Sequence, residues 1–163
     1  MDRLYTPWRF DDIKGESGEK TGTGSTCVFC TISSRGDDEA TFILHRAALN
    51  FVVLNIYPYT SGHLMVVPFE HTADFAALPP ETSSEMMELA KRAQSLLAEV
   101  YRPHGFNLGM NLGQAAGAGV SDHLHLHLLP RWSGDANFMT TVGETRVLPE
   151  DLRSTYEKLR GRF

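Results

Sequence analysis

The sequence predicts an α+β fold: an antiparallel sheet of about five strands, a long helix packed on one face, and a C-terminal helix. Three observations predict it. Asp122-His123-Leu124-His125-Leu126-His127-Leu128-Leu129-Pro130-Arg131-Trp132 alternates polar and apolar side chains, the period of a strand with two different faces. Other short, β-prone apolar runs are joined by compact turn-like segments. One long stretch instead repeats its apolar residues at helical spacing.

Taken in order, residues 4–10 are aromatic and interrupted by Pro7, which suits an arm or an edge strand. Residues 11–26 hold almost nothing to bury and read as a flexible loop or linker. The runs 41–45 and 51–55 predict a hairpin around 47–50, and His63 to Pro68 predicts a third strand after the turn at 57–62. A helix follows over 82–101. Met86, Leu89, Ala90, Ala93, Leu97 and Val100 form its apolar face, Thr82 and Glu85 suggest a capping box, and Arg102-Pro103 stops it. Residues 106–111 predict a fourth strand, and the histidine segment is the fifth. A short strand is expected at 139–142 and a terminal helix over 149–159, with Pro149 near its start. The 163 residues are expected to form one domain, 1–163.

Composition narrows the function. The net charge is −5 and no basic run exists, which argues against a nucleic-acid polymer as partner. No apolar segment has the ~20 residues that span a bilayer, so a membrane partner is not expected. The N-terminus lacks the apolar core of a signal peptide, so the chain reads as cytoplasmic. In that compartment Cys27 and Cys30 suit metal ligation or a redox pair better than a structural disulfide.

The histidine row carries the chemistry. His123, His125 and His127 project to one side of a strand, and neutral imidazoles there offer nucleophile, base or ligand nitrogens near neutral pH. Just upstream, residues 112–121 are rich in Gly and Ala. Their backbone amides are open to cradle a phosphate, with Gln114, Gly117, Gly119 and Ser121 as candidate nucleotide-binding positions. Tyr57, Tyr59 and Trp132 are candidates for stacking on a base or for packing under loops or at a subunit contact, and Asp135 and Asn137 for reaching the pocket or a second subunit. His45 and His104 have no supporting motif and are expected at the surface.

The segment Asp122 to Trp132 resembles the signature of the histidine-triad superfamily. The likeness continues through Leu54-Asn55, Gly62-His63, the run 64–68 and His71, Phe75 and Leu78. Residues 102–107, 130–138 and 4–9 are similar to the bacterial branch of diadenosine tetraphosphate phosphorylases and hydrolases. The resemblance implies an enzyme that cleaves dinucleoside polyphosphates through a nucleotidyl-histidine intermediate, released by phosphate or water. It implies His125 as nucleophile, His127 at the phosphates, His63 as an orienting residue, Asn55 at the ribose and Asn111 near the phosphates. At Val120 the chain departs from the usual Ser or Thr, so Ser121 or the Gly119 amide is expected to take that contact.

The resemblance also implies a structural zinc held by Cys27, Cys30, His71 and His123, magnesium arriving with the substrate, and a homodimer. Other readings are a nucleoside phosphoramidate hydrolase, a non-catalytic nucleotide-binding protein, and a zinc hydrolase using the three histidines as ligands. The last is weak, since alternate residues of one strand rarely converge on one ion.

Overall fold

The computed structural model describes residues 27–145 and 147–163. The expected arm at 4–10 and loop at 11–26 lie outside the described residues. The elements are α1 (Val28–Ser34), α2 (Asp38–Thr41), β1 (Ile43–Arg46), β2 (Asn50–Leu54), β3 (Leu64–Pro68), α3 (Pro80–Tyr101), β4 (Gly105–Gly109), β5 (Leu126–Arg131), α4 (Phe138–Thr141) and α5 (Leu152–Leu159). The strands form one sheet in the order β1-β2-β3-β5-β4. Every neighbouring pair is antiparallel, as the sequence predicts.

The sheet has two differently used faces. Val52, Leu54, Leu64, Val66, Leu124, Leu126 and Leu128 pack with Met86, Leu89, Ala93 and Leu97 of α3, and Tyr156 and Leu159 of α5 join the same core. Each valine, leucine or methionine among them contributes about 1.5–3 kcal/mol by leaving water. On the other face Phe51, Val53, Met65 and Val67 pack with Phe29 of α1. Strand alternation therefore sends the motif leucines to the α3 core and the motif histidines toward the α1 side.

Several boundaries differ from expectation for identifiable reasons. β1 starts at Ile43 because Asp38–Thr41 winds into a helical turn, which Phe42 closes at φ 57°. Asp37 accepts from the Ala40 amide to cap it. The expected capping box does not form. Pro79 is the N-cap and Pro80 the first helical residue, so Thr82 is already inside α3 and buried. Glu85 instead accepts from the Ala48 amide at 3.1 Å, the Leu49 amide at 2.8 Å and Asn50 Nδ2 at 2.8 Å, tying the β1–β2 turn to α3. Residues 138–141 form a helix instead of a strand, because Asn137 Oδ1 caps the Met139 amide at 3.0 Å. The terminal helix begins at Leu152, three residues past Pro149, where Asp151 caps the Ser154 amide at 2.9 Å.

Gly62 is a turn residue whose backbone and packing both favour glycine. Its φ is +77°, and a Cβ there would lie 3.1–3.2 Å from Leu97, Pro130 and Tyr101. No described helix is long and apolar enough to cross a membrane.

Candidate functional site

The expected histidine strand is regular only in part. β5 pairs from Leu126 onward, so of the three histidines only His127 lies in the ladder. β3 ends at Pro68, whose nitrogen carries no hydrogen to extend the pairing. Beyond that point the chain is held by other bonds. The Leu124 amide donates to the Thr72 carbonyl at 2.8 Å, and His123 Nε2 lies 2.9 Å from the Pro68 carbonyl. All three histidines, and His63 just before β3, are buried.

Their partners fix their protons, because a carbonyl only accepts and a backbone amide only donates. His123 Nε2 faces the Pro68 carbonyl and so carries its proton, leaving Nδ1 bare. His125 Nδ1 lies 2.9 Å from the His123 carbonyl, so Nδ1 is protonated and Nε2 keeps its lone pair. The Tyr59 amide donates to His63 Nδ1 at 3.2 Å. His63 Nε2 therefore carries a proton and donates to His127 Nδ1 at 2.9 Å. His127 is left as an Nε2–H donor. Burial, and then the neighbouring His125, push the His127 pKa down to about 4, so that ring is neutral near pH 7.

The row therefore alternates in chemical role. His125 presents a bare nitrogen, and His127 beside it presents an N–H, with ring centroids 4.8 Å apart. Such a pair can attack an electrophilic centre and hydrogen-bond to its oxygens.

Two aromatic residues brace the row. Phe29, between the two cysteines, packs against His123 at 5.4 Å and His125 at 5.1 Å. Sequence reasoning passed over it, although an apolar residue centred in the cysteine pair was the available signal. Tyr59, a candidate for base stacking or for packing, lies against His63 at 4.8 Å and His127 at 6.2 Å.

The first histidine belongs to a second cluster. The ligand atoms of Cys27, Cys30, His71 and His123 all lie within 4.8 Å of one another. Cys27 Sγ is 3.2 Å from His123 Nδ1, Cys30 Sγ is 3.4 Å from His71 Nδ1 and 3.6 Å from His123 Nδ1, and the two Nδ1 atoms are 3.2 Å apart. A tetrahedral zinc with ordinary Zn–S and Zn–N bonds requires ligand separations of roughly 3.3–3.8 Å. These four separations match such an ion to within a few tenths of an ångström, and the other two pairs lie within 4.8 Å. The His123 Nε2 bond to Pro68 also turns its bare Nδ1 into the cluster, the tautomer a ligating histidine needs. This group could hold a metal ion.

The two cysteines sit at the start of α1: Cys27 is its N-cap and Cys30 lies in its first turn.

The remaining predicted residues are placed as follows. Asn55, just past β2, accepts from the Tyr57 amide at 2.9 Å. Asn111 Nδ2 donates to the Gly117 carbonyl at 3.4 Å, bracing the Gly/Ala loop. Gln114 begins a 3₁₀ turn ending at Ala116, and Gly117 follows at φ +85°. Gln114, Gly117 and Gly119 are exposed and Ser121 is half-buried.

Asp135, Asn137 and Trp132 line a cleft of about 740 Å³ at the Arg131 end of β5, which also includes Tyr59. No motif histidine lines it. Arg131 holds Asp135 through two bonds of 2.6 and 2.8 Å, which draw the Asp135 pKa down to about 2. His104 is exposed, as expected. His45 is not at the open surface: it is half-buried and stacks on Phe163 at 5.6 Å, and burial lowers its pKa.

Known proteins resemble this chain in sequence and fold. The HIT domain family model matches residues 37–134. AP-4-A phosphorylase of Mycobacterium tuberculosis is 40% identical over 159 residues, covering 95% of this chain and 80% of that protein. Adenosine 5'-monophosphoramidase of Schizosaccharomyces pombe is 28% identical over 134 residues, 82% of this chain and 96% of the other. Among solved structures, a Zn-bound histidine triad family protein from Mycobacterium smegmatis has a TM-score of 0.67 at 33% identity, covering 84% of this chain and 92% of that one. The sheet, the histidine row and these matches together place the chain in the HIT domain family.

Proposed function

We propose that this protein cleaves dinucleoside polyphosphates of the diadenosine tetraphosphate kind through a nucleotide bonded transiently to His125. The reading is carried by the bond from His125 Nδ1 to the His123 carbonyl, which leaves Nε2 as a bare nucleophile. In the first step Nε2 attacks the α-phosphorus, and the bond from that phosphorus to the bridging oxygen breaks. The rest of the polyphosphate departs with the oxygen. In the second step phosphate or water attacks the same phosphorus and frees Nε2. Splitting one displacement into two lowers each barrier. His127, neutral and held as an Nε2–H donor by His63, is suited to hydrogen-bond the phosphate oxygens. Amides of the 112–121 loop, with Gln114, Gly117, Gly119, Ser121 and Asn111, complete the anion site in this reading, and Asn55 takes the ribose. The likeness to AP-4-A phosphorylase supports this substrate class. The likeness to the monophosphoramidase keeps a phosphoramidate substrate as the second reading.

The metal in this reading is a structural zinc at Cys27, Cys30, His71 and His123, supported by their spacing and by the Zn-bound relative. It would fix α1 and His123 against the sheet. A homodimer is also proposed. β4 lies at the open edge of the sheet and exposes Leu108, which suits pairing with a second copy.

The test is incubation with diadenosine tetraphosphate with and without phosphate. Phosphate-dependent release of a nucleoside diphosphate marks a phosphorylase, and monophosphate release without phosphate marks a hydrolase. Turnover that survives His125→Ala would sink the proposal.

A further inference from the structure

Beyond holding a metal, we infer that Cys27 and Cys30 form a reversible oxidation site, and that closing a disulfide there unseats His125. The consequence for catalysis rests on the reading of His125 as nucleophile; the oxidation site itself does not.

The local geometry favours the bond. Cys27 caps α1 and Cys30 lies in its first turn, so both thiols leave the same end of one short helix. Their sulfurs lie within 4.8 Å of each other. A disulfide needs about 2 Å, a closure that side-chain rotation and a small shift of the first turn supply. Both cysteines are only half-buried and His71 at the cluster's rim is exposed, so a small oxidant reaches the sulfurs.

The chemistry balances with a peroxide as the oxidant. One sulfur, a thiolate when it holds the metal, attacks a peroxide oxygen; the O–O bond breaks, and the departing hydroxide takes a proton from solvent to leave a sulfenic acid and one water. The second thiolate then displaces the sulfenic oxygen as hydroxide, which solvent protonates to the other water, giving the S–S bond. Two electrons pass from the sulfur pair to the peroxide. Two of the four donors around the metal are consumed, and two imidazoles alone hold zinc poorly, so the ion leaves. A dithiol reverses the step by exchange.

The consequence for His125 follows from what the cluster touches. The carbonyl that fixes the His125 proton belongs to His123, a member of the cluster. The ring that packs on His125 belongs to Phe29, between the two cysteines. Drawing the sulfurs together moves the turn that carries Phe29 and releases His123 from two sulfur partners. Both supports of His125 therefore change in one event.

The test uses the whole reduced, zinc-loaded protein. Hydrogen peroxide is added in slight excess. Zinc release is followed with a coloured chelator, disulfides are mapped by mass spectrometry, and the His125 Nδ1–H resonance is followed by NMR. The expected result is one zinc released per chain, a bond between Cys27 and Cys30, and loss of the exchange-protected Nδ1–H signal. All three recover with a dithiol and added zinc. The nucleotidyl adduct trapped from diadenosine tetraphosphate should fall at least tenfold in parallel.

Retention of both free thiols and of zinc, under peroxide that oxidises a peptide carrying the same two cysteines, would overturn the oxidation site. A disulfide that leaves the Nδ1–H signal unchanged would overturn the link to His125. Failure of the reduced protein to form any adduct strikes only the proposed function, because the zinc, thiol and NMR measurements still decide the inference.

Discussion

The Nδ1 of His125 sits 2.9 Å from the carbonyl of His123, two residues back along the same chain. One residue thus offers its side chain to a candidate metal cluster and its backbone to the candidate nucleophile. His125→Ala should lower turnover by at least ~10³-fold, the scale on which loss of a nucleophile acts, with binding of a nucleoside monophosphate kept. Single-turnover kinetics and equilibrium binding measure the two separately.

His63 acts one ring further on, through the proton it donates to His127. His63→Ala should cost about 10–100-fold in turnover, since His127 is no longer held as an Nε2–H donor. Removing both should cost little more than removing His127 alone, because the two act as a unit. A double-mutant cycle on kcat reads this directly, and full additivity would refute it.

Stability should fall as the solution is acidified from neutral. Burial lowers the pKa of His127 to about 4 and holds that of His123 below its ordinary value. Between the unfolded value near 6.5 and the folded value, the unfolded chain binds more protons than the folded one. The contribution is fully present above about pH 6.5 and is lost progressively toward pH 4. Urea midpoints of metal-free protein across that range should decline steadily; a flat profile would contradict the assignment.

Glu85 should prove a stability residue. Its carboxylate takes two backbone amides and the Asn50 side chain. Burial alone would raise its pKa, but those hydrogen bonds together hold it below the ordinary value. Glu85→Ala leaves the buried Asn50 amide short of a partner and should cost about 1–3 kcal/mol, read as a lower urea midpoint with an unchanged slope.

Metal removal offers a separate check. Purified protein should carry close to one zinc per chain. Chelation, or His71→Ala, should lower the melting temperature by several degrees, which corresponds to about 1–2 kcal/mol for a domain of this size.

Much of this was legible in the sequence. The period of two through residues 123–128 placed leucines and histidines on opposite faces, and the helical period from Met86 to Val100 found the α3 face. The four ligand residues came from a resemblance, and the fold brings them together across up to 96 positions of chain. What stayed hidden was set by tertiary contact. Thr82 and Glu85 have the right spacing for a cap, yet Pro79-Pro80 starts the helix earlier and Glu85 turns to the hairpin. Phe29 packs on histidines far away in sequence, and the Tyr59 amide reaches His127 only through His63, which local pattern does not report.

The strict alternation of residues 123–128 has a consequence for how this segment can change over time. Replacement at any one position alters a single side chain. Insertion or deletion of one residue would swap the two surfaces wholesale, sending imidazoles into the oily layer under α3 and leucines into the reaction chamber. Descendants of this chain can therefore vary in the letters of the motif but not in its length.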